Sequence, residues 1–460
     1  MSRRIRTLII ALGILVILGG GYFGSVIWKK KKAESVSAST PSPKLGNLES
    51  SGLVKIENSS LVLEKNNETW ELVSLNGKNP PQGIELDQNK LQSITYTLAG
   101  VWVERTVDEE PADLSVYGLD GAPLRTVVTD SEGKKATYFV GDMTPSRSSY
   151  YVIEEGDPKV YTIAAYSAEN LMLDLDKIRQ RILFRVFDIQ SLIKFRLETP
   201  LSLIEIGVKP ESAPLHVSSL FSPFILTSPY KLPRSVDGDA LDKLLSVFKN
   251  IAIEDFIDGD PASLKPYGLD KPIRVSLQIQ GASMDLEIGN LTDTKRYAKL
   301  AGAPGVFTLD GLDTVINARP FSLINKFALL FNIDHVDRLS VSGGERDLNA
   351  EMQGTGDDAV FTLNGKKAES RSFKTFYQAV IGLLADAEYP GPVRGAEDAG
   401  ANITIEYRLN TPPGARASVS LIPYNRDFYA LSQDGTIEFL ISRNQIHKIY
   451  ETADAVVFEE

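Results

Sequence analysis

Residues 111–120 read PADLSVYGLD and residues 261–270 read PASLKPYGLD. Seven of the ten positions are identical, and the stretches stand 150 residues apart, the length of one domain. Agreement continues downstream in the same order. Phe139-Val140-Gly141-Asp142-Met143-Thr144 corresponds to Glu287-Ile288-Gly289-Asn290-Leu291-Thr292, and Tyr150-Tyr151-Val152 to Arg296-Tyr297-Ala298. Val160-Tyr161-Thr162-Ile163 corresponds to Val306-Phe307-Thr308-Leu309. An ordered series at nearly constant spacing marks a duplicated unit. A third, weaker copy follows. Phe428-Tyr429-Ala430 and Ile437-Glu438-Phe439-Leu440 repeat the last two matches, while YGLD gives way to Pro390-Gly391-Pro392 and a loop of small residues.

Each copy opens with short strands, such as Leu61-Val62-Leu63, the run from Trp70 to Leu75, and Val360-Phe361-Thr362-Leu363. An amphipathic helix follows. In the third copy Phe373, Phe376, Tyr377, Val380, Ile381 and Leu384 share one helical face, and Ser370 is placed to cap it. In the second, Asp239 is placed to cap a helix with Leu241, Leu244, Leu245 and Phe248; in the first, Asp87 is placed to cap a thinner stripe of Leu91, Ile94 and Leu98. Period-two alternation then returns in residues 274–279, 284–288, 403–409 and 417–422, with turns such as Gln280-Gly281. This predicts antiparallel hairpins with one wet face. Apolar residues from Asp174 to Phe184 and from Arg319 to Phe331 predict a closing helix in copies one and two. The similar joints Phe187-Asp188-Ile189 and Phe331-Asn332-Ile333 lead into the next strand. The modules fall at 52–187, 188–332 and 333–460, the last degenerate, and joints this short predict packed, semi-rigid neighbours. The fold class is α+β: tandem repeated modules of antiparallel sheet with helices, after one N-terminal transmembrane helix.

That helix is read from Thr7 to Trp28, 22 residues without a charge. As a helix they extend about 33 Å, enough to span a hydrocarbon core. Residues 1–6 form a cytoplasmic tail with Arg3, Arg4 and Arg6; Lys29 to Lys32 follow the span, and Tyr22 and Trp28 suit an interfacial belt. The apolar run exceeds the roughly 7–15 residues of a cleavable signal peptide, which favours a retained anchor. The small residues Ser37-Ala38-Ser39 leave late cleavage open. Flanking charge is nearly balanced and does not orient the span. Gly19 to Gly24 match G-x-G-x-x-G without a preceding strand, and Gly20 and Gly24 form G-x-x-x-G. A glycine-rich membrane helix accounts for both. Residues 29–51, basic and then Ser/Pro-rich, read as a stalk.

Composition narrows the chemistry. The chain has 460 residues, 43% hydrophobic and 24% charged, which suits folded domains. It has no cysteine, so disulfides, thiolate metal sites and thiol nucleophiles are excluded. Its three histidines, His216, His335 and His447, have no metal-ligand spacing. The net charge is −11, and the first 32 residues hold seven bases and no acid, so the body is more acidic than the whole. Such a body repels phosphate backbones, which disfavours nucleic acid as a partner.

Taken in order, the anchor, the Trp70-Glu71-Leu72 strand, the helix, YGLD followed by Pro, the Ile-Gly strand end, the Tyr-Ala strand and the Val-Tyr/Phe strand form one pattern. It resembles the bacterial domain-of-unknown-function family 4340 over most of residues 53–330 and more weakly beyond. The departures are Gly121-Ala122 before Pro123 and the degenerate third copy. The resemblance implies an envelope protein anchored by its N-terminus, linked with ABC-type transport or gliding-related systems, and body outside the cytoplasm. It transfers no catalytic residue.

The recurrent residues Tyr117, Gly118, Leu119, Asp120, Tyr267, Gly268, Leu269 and Asp270, with Gly141 and Gly289, admit a ligand site or a structural turn. In the turn, Gly takes positive φ, Asp bonds its own backbone, and Tyr and Leu pack down. Recurrence favours the turn. Asp237-Gly238-Asp239 and Asp258-Gly259-Asp260 resemble calcium-loop fragments, but Phe248 and Leu269 stand where a loop needs Glu. Ser191 to Lys194 and Ser246 to Lys249 match S-x-x-K without its companion motifs. Acidic pairs Glu109-Glu110 and Asp357-Asp358 sit in polar loops; a carboxylate hydrolase would need such a pair across a cleft. No catalytic, metal or cofactor site is assigned. The expectation is a membrane-anchored, non-catalytic scaffold or accessory protein, whose partners are the bilayer through residues 7–28 and an ABC-type permease or related subunits. The alternatives are a ligand-binding module for an envelope polymer or transported solute, and, after it, an envelope hydrolase.

Overall fold

In the strand Leu61–Asn66, buried Leu61 and Leu63 alternate with half-exposed Val62 and Glu64, so one face is apolar. Strands of this kind build the three large sheets of the described residues. The computed structural model describes residues 43–121, 123–184, 188–217, 222–257, 263–392 and 401–459. The expected cytoplasmic tail (1–6), membrane span (7–28) and residues 29–42 of the stalk lie outside them. Among the described residues no helix is long and apolar enough to cross a membrane.

The first module begins with a meander, β1 (Leu53–Asn58), β2 (Leu61–Asn66) and β3 (Thr69–Leu75). Helix α1 (Gln88–Leu98) follows, then edge strand β4 (Arg105–Asp108). A second meander comprises β5 (Leu124–Asp130), β6 (Lys135–Met143), β7 (Ser149–Glu154) and β8 (Val160–Ala164). Short helices α2 (Ala165–Leu171) and α3 (Leu175–Ile178) close it. The strand order is β3-β2-β1-β5-β6-β7-β8-β4, antiparallel throughout.

The second module repeats this plan. Its strands are β9 (Leu192–Glu198), β10 (Leu203–Val208), β11 (Phe224–Ser228) and β12 (Arg234–Ser235), then helix α4 (Gly238–Leu245) and β13 (Phe256–Ile257). After them come β14 (Ile273–Ile279), β15 (Ala282–Thr292), β16 (Lys295–Leu300), β17 (Val306–Leu309), α5 (Asp313–Ile316) and α6 (Pro320–Leu323). The third has β18 (Val336–Ser342), β19 (Leu348–Gln353), β20 (Val360–Leu363), β21 (Lys366–Ala368), α7 (Ser370–Ile381) and β22 (Ala387–Glu388). It ends with β23 (Ile403–Asn410), β24 (Pro413–Pro423), β25 (Phe428–Gln433), β26 (Thr436–Ser442) and α8 (Arg443–Asp454). The nine-stranded orders β12-β11-β10-β9-β14-β15-β16-β17-β13 and β21-β20-β19-β18-β23-β24-β25-β26-β22 match the first sheet position for position, with one added edge strand. The chain is therefore α+β and built of repeated antiparallel modules.

The two meanders of each module join through a central pair. Ile56 faces Val128, Phe195 faces Leu277, and Leu339 faces Tyr407, all fully buried. The chain divides into two units, one ending at Gln180 and the other beginning at Arg181. The first unit holds one module with its own core; in the second, the other two modules share one apolar core.

A recurrent set of short pairings fixes the helices. Leu86, Val236 and Ala368, each two residues before a module's helix, pair with Arg179, Ile324 and Phe458 from that module's tail. The residue after each pairing becomes the N-cap. Asp87 Oδ1 accepts from Asn89 N and Lys90 N at 3.1 and 3.2 Å, and Asp237 Oδ1 accepts from Ala240 N at 2.9 Å. Glu369 Oε2 accepts from Ser372 N at 2.7 Å. The caps expected at Asp239 and Ser370 are thus corrected to Asp237 and Glu369, because the preceding pairing sets where each helix starts.

Two further expectations change. The closing helices over 174–184 and 319–331 are single turns, α3 and α6, followed by extended chain. Ile182 pairs there with Ala252 and Phe327 with Leu384, so edge pairing satisfies the backbone that a helix would have. The stalk expected over 29–51 does not extend through residue 51. Lys44 and Leu45 pair with Trp102 and Val101, and Leu45 and Leu48 are buried. In the first module this segment fills the place that Ile182 and Phe327 fill beside the second and third helices.

Candidate functional site

The YGLD stretches form one turn twice. Short 3-10 turns Ser115–Tyr117 and Lys265–Tyr267 end in Gly118 and Gly268, whose φ values are 67° and 71°. Leu119 N bonds Leu114 O and Leu269 N bonds Leu264 O, both at 3.1 Å, and both leucines are buried. The turn lies on a β-bulge. Pairing of β6 with β7 slips between Val140 and Met143, and that of β15 with β16 between Ile288 and Leu291. Gly141 and Gly289 sit in these bulges, where a β-carbon would overlap the carbonyl oxygens of Tyr117 and Tyr267. Tyr117 packs edge-on against Tyr151 at 5.1 Å, and Tyr267 against Tyr297 at 4.9 Å.

Asp120 and Asp270 are exposed, and neither makes a side-chain hydrogen bond within the described residues. The local bond expected of them belongs to residues earlier in the motif. Asp113 Oδ1 accepts from Ser115 N at 2.9 Å, and Ser263 Oγ accepts from Lys265 N at 3.3 Å. Hydrogen bonds from Ser115 hold the Asp113 carboxyl below its usual range. In the third module Pro423 stands where Gly141 and Gly289 stand, next to the Ile422–Ala430 pair, and no bulge occurs there. Arg443 replaces the turn tyrosine: its guanidinium lies 4.3 Å from the Tyr429 ring and donates to Tyr429 Oη at 3.3 Å.

A second cluster joins the second and third modules. Arg234 of β12 is 9% exposed. It donates to Gln433 Oε1 at 2.6 Å and to Glu438 Oε2 at 2.7 Å, and stacks 4.7 Å from the Phe439 ring. Glu438 also accepts from Lys231 N at 2.5 Å. Tyr230 packs against Phe439 and donates to Glu388 Oε1 at 2.6 Å; burial and that carboxylate push its phenol well up. His216 Nε2 lies 3.2 Å from Pro233 O, and burial, then the Arg234 charge, hold its imidazole below its ordinary value. Arg234 Nε has no hydrogen-bond partner, and Arg234 with His216, Ser235 and Asn325 lines a cavity of about 20 Å³, room for a single water. These groups are brought together from positions 216 to 438, and no sequence spacing announces them.

The other candidate chemistries do not assemble. Ser191 Oγ donates to Asp188 O and Ser246 Oγ to Lys243 O, while Lys194 and Lys249 pair with Glu205 and Asp242. Asp237 is a helix cap; Asp258-Gly259-Asp260 lies outside the described residues. His447 sits beside Glu451 at 3.3 Å, and His335 ends a 3-10 turn. Glu109 pairs with Lys159 at 3.1 Å. Among the described residues no group of three or more His, Asp or Glu is placed to hold a metal.

The fold and its turns define a class: tandem antiparallel α+β modules, each first meander locked to the second through a central strand pair. The family described as domain of unknown function (DUF4340) matches residues 70–214 and again residues 225–391, and the chain belongs to it. Each match starts in the third strand of one module and ends within the next, so the sequence unit is shifted against the structural one. Among curated proteins and solved structures, none matches this chain.

Proposed function

We propose that the chain is a membrane-anchored, extracytoplasmic, non-catalytic scaffold or accessory protein of an ABC-type transport complex. Residues 7–28 would hold it in the bilayer, and the modules would face permease or related subunits. The observation that carries this reading is the closure of the junction cluster. The most buried ion pair among the described residues, Arg234 with Glu438, spends its charge joining two modules rather than facing a cavity of substrate size. Repeated modules locked in this way offer long, fixed surfaces suited to partners. Co-purification from detergent-solubilised membranes tests it. A stoichiometric permease or ATPase is the expected outcome; a chain recovered alone from gently solubilised native membranes counts against it.

One observation favours the ligand-binding alternative. A cleft of about 280 Å³ in the third module is lined by Gly343, Gly344, Tyr429, Arg443, His447 and Tyr450, and the His447 side chain is 65% exposed there. A glycan or small molecule that survives purification and is lost in His447→Ala would move that reading forward.

A further inference from the structure

We propose that the outer face of the first module's helix layer rests on the membrane, seated in the lipid headgroup region by Tyr96, Trp102 and Tyr166. The inference rests on the anchored reading above and adds which face meets the bilayer.

One face of the first sheet is covered by α1, α2 and the short pairing of Lys44–Leu45 with Val101–Trp102. Each piece turns apolar residues inward: Leu91, Ile94 and Leu98 from α1, Ala168 and Leu171 from α2, Leu45 and Val101 from the pairing. The residues pointing the opposite way follow from periodicity. Tyr96 lies two residues from Ile94 and Leu98, about 200° around the helix, and Tyr166 lies likewise two residues from Ala168. Trp102 sits between buried Val101 and Val103 on an alternating segment. The helices lie side by side, with Asn170 Nδ2 donating to Thr97 Oγ1 at 3.2 Å. The outward residues are large aromatics, 68%, 52% and 63% exposed for Tyr96, Trp102 and Tyr166.

The repeats supply an internal comparison. Outward positions of α4 hold Asp239 and Lys243, those of α7 hold Arg371, Lys374 and Gln378, and those of α8 hold His447 and Lys448, all exposed. A helix layer of this fold therefore needs no outward aromatic. The first module alone shows three, of the two residue types that concentrate at membrane interfaces. It is also the module that receives the N-terminal segment: Val103 N bonds Pro43 O at 3.0 Å, and Lys44 Nζ lies 5.5 Å from the Trp102 ring. Only residues 29–42 separate Trp28, at the end of the apolar span, from this face. The tether thus delivers to the bilayer the face that carries the aromatics, with Lys29 to Lys32 and Lys44 available to lipid phosphates.

The chain lacks cysteine, so single labels are direct. The full chain is reconstituted in nanodiscs with an environment-sensitive fluorophore at Gln92→Cys or Glu169→Cys, exposed neighbours of Tyr96 and Tyr166, and spin-labelled lipid serves as quencher. Gly20→Cys reports the span, and Glu71→Cys, exposed on the face of β3 opposite buried Trp70, serves as comparison. Loss of most emission at Gln92, Glu169 and Gly20 but not at Glu71 is expected. Replacing Tyr96, Trp102 and Tyr166 together by Ser should restore emission at Gln92 and Glu169 only, and replacing them by Phe should not. Quenching at Gly20 without quenching at Gln92 and Glu169 overturns the docking and leaves the anchor intact, giving the aromatic face to a protein partner instead. An unquenched Gly20 overturns the anchor. Quenching at Gln92 that survives the Ser variant removes the aromatics from the account.

Discussion

The carbonyl oxygen of Tyr117 lies where a β-carbon on Gly141 would stand, and Tyr267 holds the same relation to Gly289. Turn and bulge are thus one device: the strand can be crossed this closely only where it lacks a side chain. The third module, with Pro423 in that place, pairs without a bulge.

Gly141→Ala and Gly289→Ala should each push the turn off its strand. Overpacking of this kind costs about 1–3 kcal/mol. Gly268→Val, at positive φ, should destabilise through backbone strain of about 1–3 kcal/mol. Chemical denaturation of each variant checks this. Gly435→Ala, at a φ of 75° with nothing near its β-carbon, separates the strain contribution from the clash.

At the module junction, removing one partner of a buried pair leaves the other charge unsatisfied. Glu438→Gln or Arg234→Met should each cost about 3–5 kcal/mol, whereas Arg234→Met with Glu438→Leu together should be nearer the native chain than either alone. Denaturation read by a probe in the third module gives the coupling. Strictly additive single and double variants would show that the pair does not join the modules.

Much of this fold is legible in the sequence because its signals are local. The YGLD repeat, the alternation of residues 274–279 and the Asp87 cap each need only a window of about ten residues. The missed features are those set by distant pairings. Asp239 reads as the cap from its spacing to Leu241 and Leu244; the contact of Val236 with Ile324, far along the chain, moves the cap to Asp237. Leu45 and Leu48 are hidden in a Ser/Pro-rich composition because two leucines do not make a period, although the Lys44–Leu45 pairing and the bond from Leu48 N to Ala99 O bring both into the core. Arg234 and Glu438 are 204 residues apart and carry no motif, so their pairing exists only in three dimensions.

The exposed carboxylates of the turn offer a test of the non-catalytic reading. Within the described residues Asp120 and Asp270 make no side-chain hydrogen bond or ion pair, so Asp120→Asn and Asp270→Asn should fold normally and keep whatever phenotype deletion of the protein abolishes. A catalytic carboxylate loses orders of magnitude on the same change. Asp113→Asn should behave likewise, since the amide oxygen still accepts from Ser115 N. One folded, membrane-inserted Asn variant that behaves as the deletion would place acid–base or metal chemistry at that turn and bring the hydrolase alternative forward.

His216 predicts a pH dependence whose sign follows from its surroundings. Its side chain is 7% exposed, and the Pro233 carbonyl accepts the proton on Nε2. The charged groups facing it are Arg234, Asp434 and Glu438; burial and Arg234 oppose a second proton more than the two carboxylates favour it. The folded imidazole therefore titrates below the ordinary value of about 6.5. Between that lower value and about 6.5 the unfolded chain binds more protons than the folded one, so stability is lost as pH falls through this window and is fully present above it. His216→Gln can still donate to Pro233 O but does not titrate. Denaturation of both chains between about pH 5 and pH 7 should show a steeper loss in the native protein on acidification, with the carboxylate contributions common to both cancelling in the difference. A difference between the two chains that stays constant across that range would mean that His216 is not held neutral at the junction.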